Sequence, residues 1–127
     1  MQSKIRDILQ ASISVKQQVL NDAALVETML AVTEKMVDCF KHDGKILFCG
    51  NGGSAADAQH LAAEFSGRFY TDRAPLDAEA LHVNTSYLTA VANDYSYNEV
   101  YARIVRAKGR KGDILVGLST SGNSANI

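Results

Sequence analysis

Neither sign of charge predominates in this chain of 127 residues: 13 lysines and arginines stand against 14 aspartates and glutamates, giving a net charge of -1 and a pI near 6.3. That balance lacks the basic footprint of a nucleic-acid binder and the polybasic patch of a membrane-surface protein. Cysteine is scarce too. Cys39 and Cys49 fall in an expected helix and an expected strand, so they read as two small buried hydrophobes rather than a disulfide or a metal site. No stretch reaches the roughly 18 apolar residues of a membrane span, and the charged start Met1-Gln2-Ser3-Lys4-Ile5-Arg6-Asp7 does not suit a signal peptide. A reducing, cytoplasmic setting is the resulting expectation. Proline occurs once, at Pro75, and the chain has no internal repeat and no low-complexity tract.

What is present is a 46% hydrophobic composition, enough for the core of one domain over 1–127. Two helices come first. Ile5, Leu9 and Ile13 recur in steps of four, widened by Ile8, Val19 and Leu20. After a capping Asn21-Asp22, the residues Leu25, Met29, Val32, Met36 and Phe40 alternate steps of four and three. Asp43-Gly44 supplies a left-handed stop, which predicts a helical hairpin over 1–44. Such a hairpin packs either on its own domain or on the same hairpin of another subunit.

From Lys45 the pattern becomes strand-helix alternation. Strands are expected at about Ile46 to Cys49, Ala78 to Val83 and Ile114 to Leu118. Helices are expected from Ser54 to about Phe65, from Asn84-Thr85-Ser86 through Val91, and along Tyr97, Val100, Tyr101, Ile104 and Val105. Units of this length predict an α/β fold, with a doubly wound parallel sheet over 45–127 covered by helices on both faces.

Two strand-to-helix turns carry the chemistry. Gly50-Asn51-Gly52-Gly53-Ser54 follows the first strand, and Ser119-Thr120-Ser121-Gly122-Asn123-Ser124 follows the third. Hydroxyls and the unpaired N–H groups of a helix start both direct donors at an oxyanion, so a phosphate-bearing small molecule is the expected ligand. One Ser or Thr would serve as a helix cap; four hydroxyls within six residues exceed that need. Gly50, Gly52 and Ala55 also match the loose dinucleotide fingerprint, but the end of the second strand offers His82-Val83-Asn84 where a ribose-binding acid is required. On the helix after the glycine turn, Asp57, His60 and Glu64 share one stripe opposite Ala58, Leu61, Ala62 and Phe65. That stripe is either a solvated face or a functional one, with His60 and Glu64 spaced to share a metal ion or Glu64 placed to carry a proton. Asn93-Asp94 reads either as a polar linker or as a pair of sugar-hydroxyl contacts.

Together, Cys49 to His60, Glu64, Ala92-Asn93-Asp94-Tyr95 and Leu118 to Asn126 resemble the sugar isomerase (SIS) domain, in its phosphoheptose isomerase branch. The resemblance covers nearly the whole chain. It implies a Rossmann-like, three-layer SIS fold and conversion of D-sedoheptulose 7-phosphate to D-glycero-D-manno-heptose 7-phosphate, toward the heptose of bacterial lipopolysaccharide. It also implies a homotetramer with pockets built from more than one subunit. Carried onto this chain, Asn51, Gly52, Gly53, Asn93 and Asp94 would contact substrate. Ser119, Thr120, Ser121 and Ser124 would hold the phosphate, and Glu64 would bind substrate and act as catalytic acid/base. His60 and Glu64 would be two ligands of one zinc ion per subunit. The remaining ligands, a histidine and a glutamine, have no counterpart in 1–127, so the sequence is expected to be part of a longer protein and inactive by itself. A non-catalytic SIS tetramer that binds the bacterial replication initiator shares the Gly50 to His60 wording but lacks the carboxylate matching Glu64, which favours the isomerase. The isomerase reading requires Glu64 and the serine turn to meet at one sugar.

Overall fold

A computed structural model describes residues 1–127, which form two compact units, Met1–Lys35 and Met36–Ile127. Helix α1 spans Gln2–Asn21 and α2 spans Ala23–Lys41. Asp22 separates them and caps the second, its Oδ1 accepting from the Leu25 N–H at 3.0 Å. A one-residue junction is shorter than helical hairpins use, and α1 buries none of its residues. The N-terminal part is helical, as expected, and consists of these two successive helices. Ile5, Ile8, Leu9, Ile13, Leu25, Met29 and Val32 leave their apolar side chains exposed. Neither these helices nor any other is long and apolar enough to cross a membrane.

The left-handed residue after α2 is Asp43, with φ 58°, and not Gly44. Gly44 is required for space instead: a Cβ there would lie 2.7 Å from Cys39 Sγ and 3.2 Å from the Gly112 carbonyl oxygen. Strand β1, Ile46–Gly50, is buried at every residue and forms the centre of a parallel sheet ordered β2-β1-β3. Its neighbours are β2, Ala78–Ala80, and β3, Ile114–Leu118, with Ile46 opposite both Ala78 and Ile114. A central parallel strand has helices over both faces, which is why its run of apolar residues is unbroken.

The alternation of side chains along β1 divides the core in two. Ile46 and Phe48 pack against Ala58 and Ala62 of α3, Gly53–Ser66, and against Phe40 at the end of α2. Phe65 completes that layer, its ring centroid 5.9 Å from Phe48 and 5.5 Å from Phe40. Leu47 and Cys49 face the other way, onto Val91 of α4 (Thr85–Asp94) and Val100, Tyr101 and Ile104 of α5 (Val100–Lys108). A 3-10 turn, Tyr97–Glu99, leads into α5. The result is the doubly wound, three-layer α/β architecture expected. Both cysteines are buried and unpaired, and burial pushes both thiols up from their ordinary values.

Two boundaries differ from the sequence reading. Strand β2 ends at Ala80 rather than Val83, because the chain turns at Leu81-His82 after the Leu81 N–H reaches the Phe48 carbonyl. Helix α4 continues to Asp94, so Asn93 and Asp94 form its last turn and are not an interruption after Val91.

Candidate functional site

The chain leaves β1 for β2 on one side, then crosses to β3 on the other. Right-handed crossovers in opposite directions put α3 and α4–α5 on opposite faces, and a crevice opens between the carboxyl ends of β1 and β3 where the strand order reverses. The glycine turn leaves β1 at that crevice and the hydroxyl turn leaves β3 beside it. The two turns anticipated as anion binders are thus neighbours.

They are also bonded. Asn51 Nδ2 donates to Asn126 Oδ1 at 2.7 Å, and Asn126 Nδ2 donates back to Asn51 Oδ1 at 2.9 Å. Tyr97 OH donates to the same Asn51 oxygen at 3.2 Å. Tyr101 OH donates to the Gly50 carbonyl from within the core; burial raises its phenol above the ordinary value. The Asn51 carboxamide oxygen therefore accepts two bonds from protein and its nitrogen donates one.

Gly52 caps α3 with φ 54°, a left-handed value that favours glycine. Gly50 is needed for close packing, since a Cβ there would lie 2.6 Å from the Ser54 carbonyl oxygen. Gly53 differs: nothing lies within 4 Å of where its Cβ would stand. Open space here fronts the start of α3, the positive end of the helix dipole, where the Ser54 and Ala55 N–H groups already bond the Asn51 carbonyl and the Ala56 N–H bonds the Gly52 carbonyl.

In the hydroxyl turn, Ser119 Oγ accepts from the Gly122 N–H at 3.1 Å and Ser121 Oγ accepts from the Asn123 N–H at 3.2 Å. A serine that accepts in this way keeps its own O–H to donate. Ser124 Oγ lies 3.4 Å from Ser119 Oγ, and Thr120 is exposed. Three residues follow Ser124 here, fewer than one helical turn. Gly122 takes φ 67° and the chain makes a single turn, closed by the Ile127 N–H on the Ser124 carbonyl at 3.1 Å.

Asn93 and Asp94 are exposed and bond each other, Asn93 Nδ2 to Asp94 Oδ1 at 2.8 Å. Tyr97, three residues on, ties their segment to the glycine turn through Asn51. His82, unremarkable as a strand residue, has Nδ1 buried without a hydrogen-bond partner, and burial lowers its pKa from the ordinary value.

His60 and Glu64 do meet, with Nε2 and Oε1 3.3 Å apart. A tetrahedral zinc with bonds of about 2.0–2.1 Å separates its ligand atoms by about 3.3 Å, so the pair fits two corners of such a site. No third histidine, cysteine or carboxylate of this chain joins them. A cavity of about 410 Å³ lies beside them, lined by His60, Leu61, Glu64, Phe65, Phe69 and Arg73. Leu61 faces this cavity, not the core arc to which its spacing assigned it. Arg73 closes the end of α3, donating to the Glu64 and Phe65 carbonyls at 3.0 and 2.9 Å. None of the serines lines this cavity. Glu64 is eleven residues beyond Gly53, which puts it about 16 Å along α3 from the glycine turn. Within one chain, Glu64 lines this cavity and the serine turn lies outside it.

Sequence reasoning missed Asn126, Tyr97 and Arg73 as elements of the site. Asn126 meets Asn51 across 75 positions, and no local pattern signals such a contact.

The family model described as SIS domain matches residues 4–127. This chain belongs to the SIS domain family. It is 53% identical over all 127 residues to a phosphoheptose isomerase of Neisseria meningitidis serogroup C (strain 053442), covering 64% of that protein. It is 48% identical over the same span to a phosphoheptose isomerase of Clostridium acetobutylicum, covering 65%. Among solved structures, phosphoheptose isomerase of Neisseria gonorrhoeae superposes with a TM-score of 0.88 at 50% identity. The enzyme of Francisella tularensis superposes with 0.91 at 36% identity. Each match covers 98% of this chain and 64% of the other. The SIS chain thus spans about 64% of the length of such relatives.

Proposed function

We propose that this SIS chain supplies the sugar-phosphate site of a phosphoheptose isomerase. The proposed reaction is D-sedoheptulose 7-phosphate to D-glycero-D-manno-heptose 7-phosphate, in the cytoplasm of a bacterium that builds heptose into lipopolysaccharide or a related surface glycan. The observation that carries the proposal is the crevice at the strand-order reversal, where the glycine and hydroxyl turns are joined side by side. The relatives at about 50% identity support the same reading.

In this reading the phosphate takes donors from Ser119, Thr120, Ser121 and Ser124 and from the start of α3. Gly52 and Gly53 give it room, and Asn51 contributes through its backbone. Asn93 and Asp94 hold sugar hydroxyls. A base takes a proton from C1 of the ketose, and the electron pair forms the C1–C2 double bond of an enediolate, moving charge to O2. Returning a proton to C2 and passing the O1 proton to O2 leaves the aldose. Glu64 is the proposed acid/base, a role in which a positioned carboxylate contributes about 10²–10⁴-fold in rate. Zinc held by His60, Glu64 and two further ligands would polarise the substrate oxygens when bound. Those ligands, and a histidine as second base, are expected from the length of the relatives that this chain does not span.

The length of α3 bears on assembly. With Glu64 about 16 Å from the glycine turn, the proposal brings Glu64 of one copy to the crevice of another, within a homotetramer. The exposed apolar faces of α1 and α2 support such association. The test is to incubate the full-length protein with sedoheptulose 7-phosphate and follow aldose formation. Turnover supports the proposal. No turnover, together with capture of the replication initiator, would overturn it in favour of a non-catalytic SIS assembly.

A further inference from the structure

Asn126 is the one buried polar residue of the chain, at 8% exposure. A buried carboxamide needs partners for both its donor and its acceptor, and here a single residue, Asn51, supplies both. The pair spans the crevice between β1 and β3, so it fixes the distance between the glycine turn and the hydroxyl turn. Both sides are themselves anchored. Asn51 is held by Tyr97, and the neighbouring Gly50 carbonyl by Tyr101. Beyond Asn126, Ile127 packs so closely over β3 that a Cβ on Gly117 would come within 2.9 Å of it, and its N–H closes the turn onto Ser124.

We propose that the reciprocal Asn51–Asn126 pair is a clasp that sets the spacing of the two anion-binding turns, which makes Asn126 a positioning residue for the substrate phosphate. The clasp rests on the sugar-phosphate reading of the crevice, but not on the isomerisation itself. It explains why both amides are spent on each other at the place where ligand donors are most needed. The hydroxyls of Ser119, Ser121 and Ser124 and the positive end of α3 come from separate segments, and a phosphate must find them at one fixed separation. Without the clasp each segment keeps its donors but loses the common register.

The experiment measures inorganic phosphate affinity by calorimetry, together with kcat and KM for sedoheptulose 7-phosphate, in the full-length protein and its Asn126→Ala, Asn126→Asp and Tyr97→Phe variants. Asn126→Ala removes two hydrogen bonds and should weaken phosphate binding about tenfold, with KM rising in parallel and kcat falling far less. Asn126→Asp keeps the shape but sets a carboxylate oxygen against Asn51 Oδ1, so it should weaken phosphate at least as much. Tyr97→Phe deletes one hydroxyl from a half-exposed side chain, secures a folded variant, and should weaken phosphate by about two- to threefold. Unchanged phosphate affinity in all three folded variants would overturn the clasp, as would a loss confined to kcat. Wild-type protein that binds phosphate, loses it in the variants and never turns over the sugar would retain the clasp and sink the isomerase reading. Wild-type protein that binds no phosphate would sink both.

Discussion

At the scale of single residues, the site divides between groups that touch substrate and groups that hold them in place. In the proposed reaction Glu64 belongs to the first class: Glu64→Gln keeps the shape of the side chain and removes its proton chemistry. It should lower kcat by about 10²–10⁴-fold while phosphate affinity holds, as paired kinetic and calorimetric measurements would register. Ser121 differs because its oxygen already accepts from Asn123 and only its O–H faces outward. Ser121→Ala should therefore raise KM by roughly five- to tenfold and leave kcat nearly alone. The residues of the proposed site could be picked out in the sequence because hydroxyls, glycines and a helical His-Glu pair sit within short windows. Asn126 and Arg73 were not, since their value comes from partners met only after folding. Asn51 shows the same limit from the other side: its place at the turn was clear, but nothing local indicated that Asn126 and Tyr97 would occupy its carboxamide.

At the scale of elements, the glycines of the first turn separate fold from function. Gly50→Ala would drive a Cβ into the Ser54 carbonyl, a backbone atom in the first turn of α3. It should destabilise the fold by about 1–3 kcal/mol, measured by urea denaturation. Gly53→Ala meets open space at the first position of a helix, where alanine suits the backbone better than glycine. Its midpoint should stay level or rise slightly, while phosphate affinity falls because the methyl occupies the ligand's room. A midpoint that falls as far as that of Gly50→Ala would mean that Gly53 serves packing instead. Strand and helix positions followed from periodicity, but ends did not. Asn93 and Asp94 have low helix propensity, yet α4 runs through them because Val91 and the following turn are already fixed against α5. Strand β2 looked longer because Leu81 and Val83 continue its alternation, although only Leu81 is buried.

At the scale of the whole molecule, the sheet is pinned at its amino end by Asp113, which accepts from the Lys45 and Arg110 N–H groups and pairs with Lys45 Nζ at 2.7 Å. The bond to Lys45 holds this carboxyl below its ordinary value. A carboxyl with a lowered folded pKa stabilises the protein above its unfolded value of about 4 and loses that contribution as the pH falls further. Asp113→Asn should therefore lower thermal stability at pH 7, and its gap from wild type should narrow below about pH 4. A gap that widens in acid would contradict this assignment. The three-layer arrangement was legible because an unbroken apolar strand between alternating helices has few other solutions. The separation of Glu64 from the serine turn was not, since a linear pattern does not say which end of a 14-residue helix faces which neighbour. That separation makes shared sites the central claim. Glu64→Gln and Ser121→Ala, combined with Gly53→Ala, damage opposite sides of the proposed site, so the decisive measurement is aldose formation by co-expressed subunits carrying Glu64→Gln in one copy and Gly53→Ala with Ser121→Ala in the other. Mixed assemblies should recover activity well above the sum of the two parents, because some crevices then combine intact turns with an intact Glu64. Activity no greater than that sum would contradict a site built from two copies.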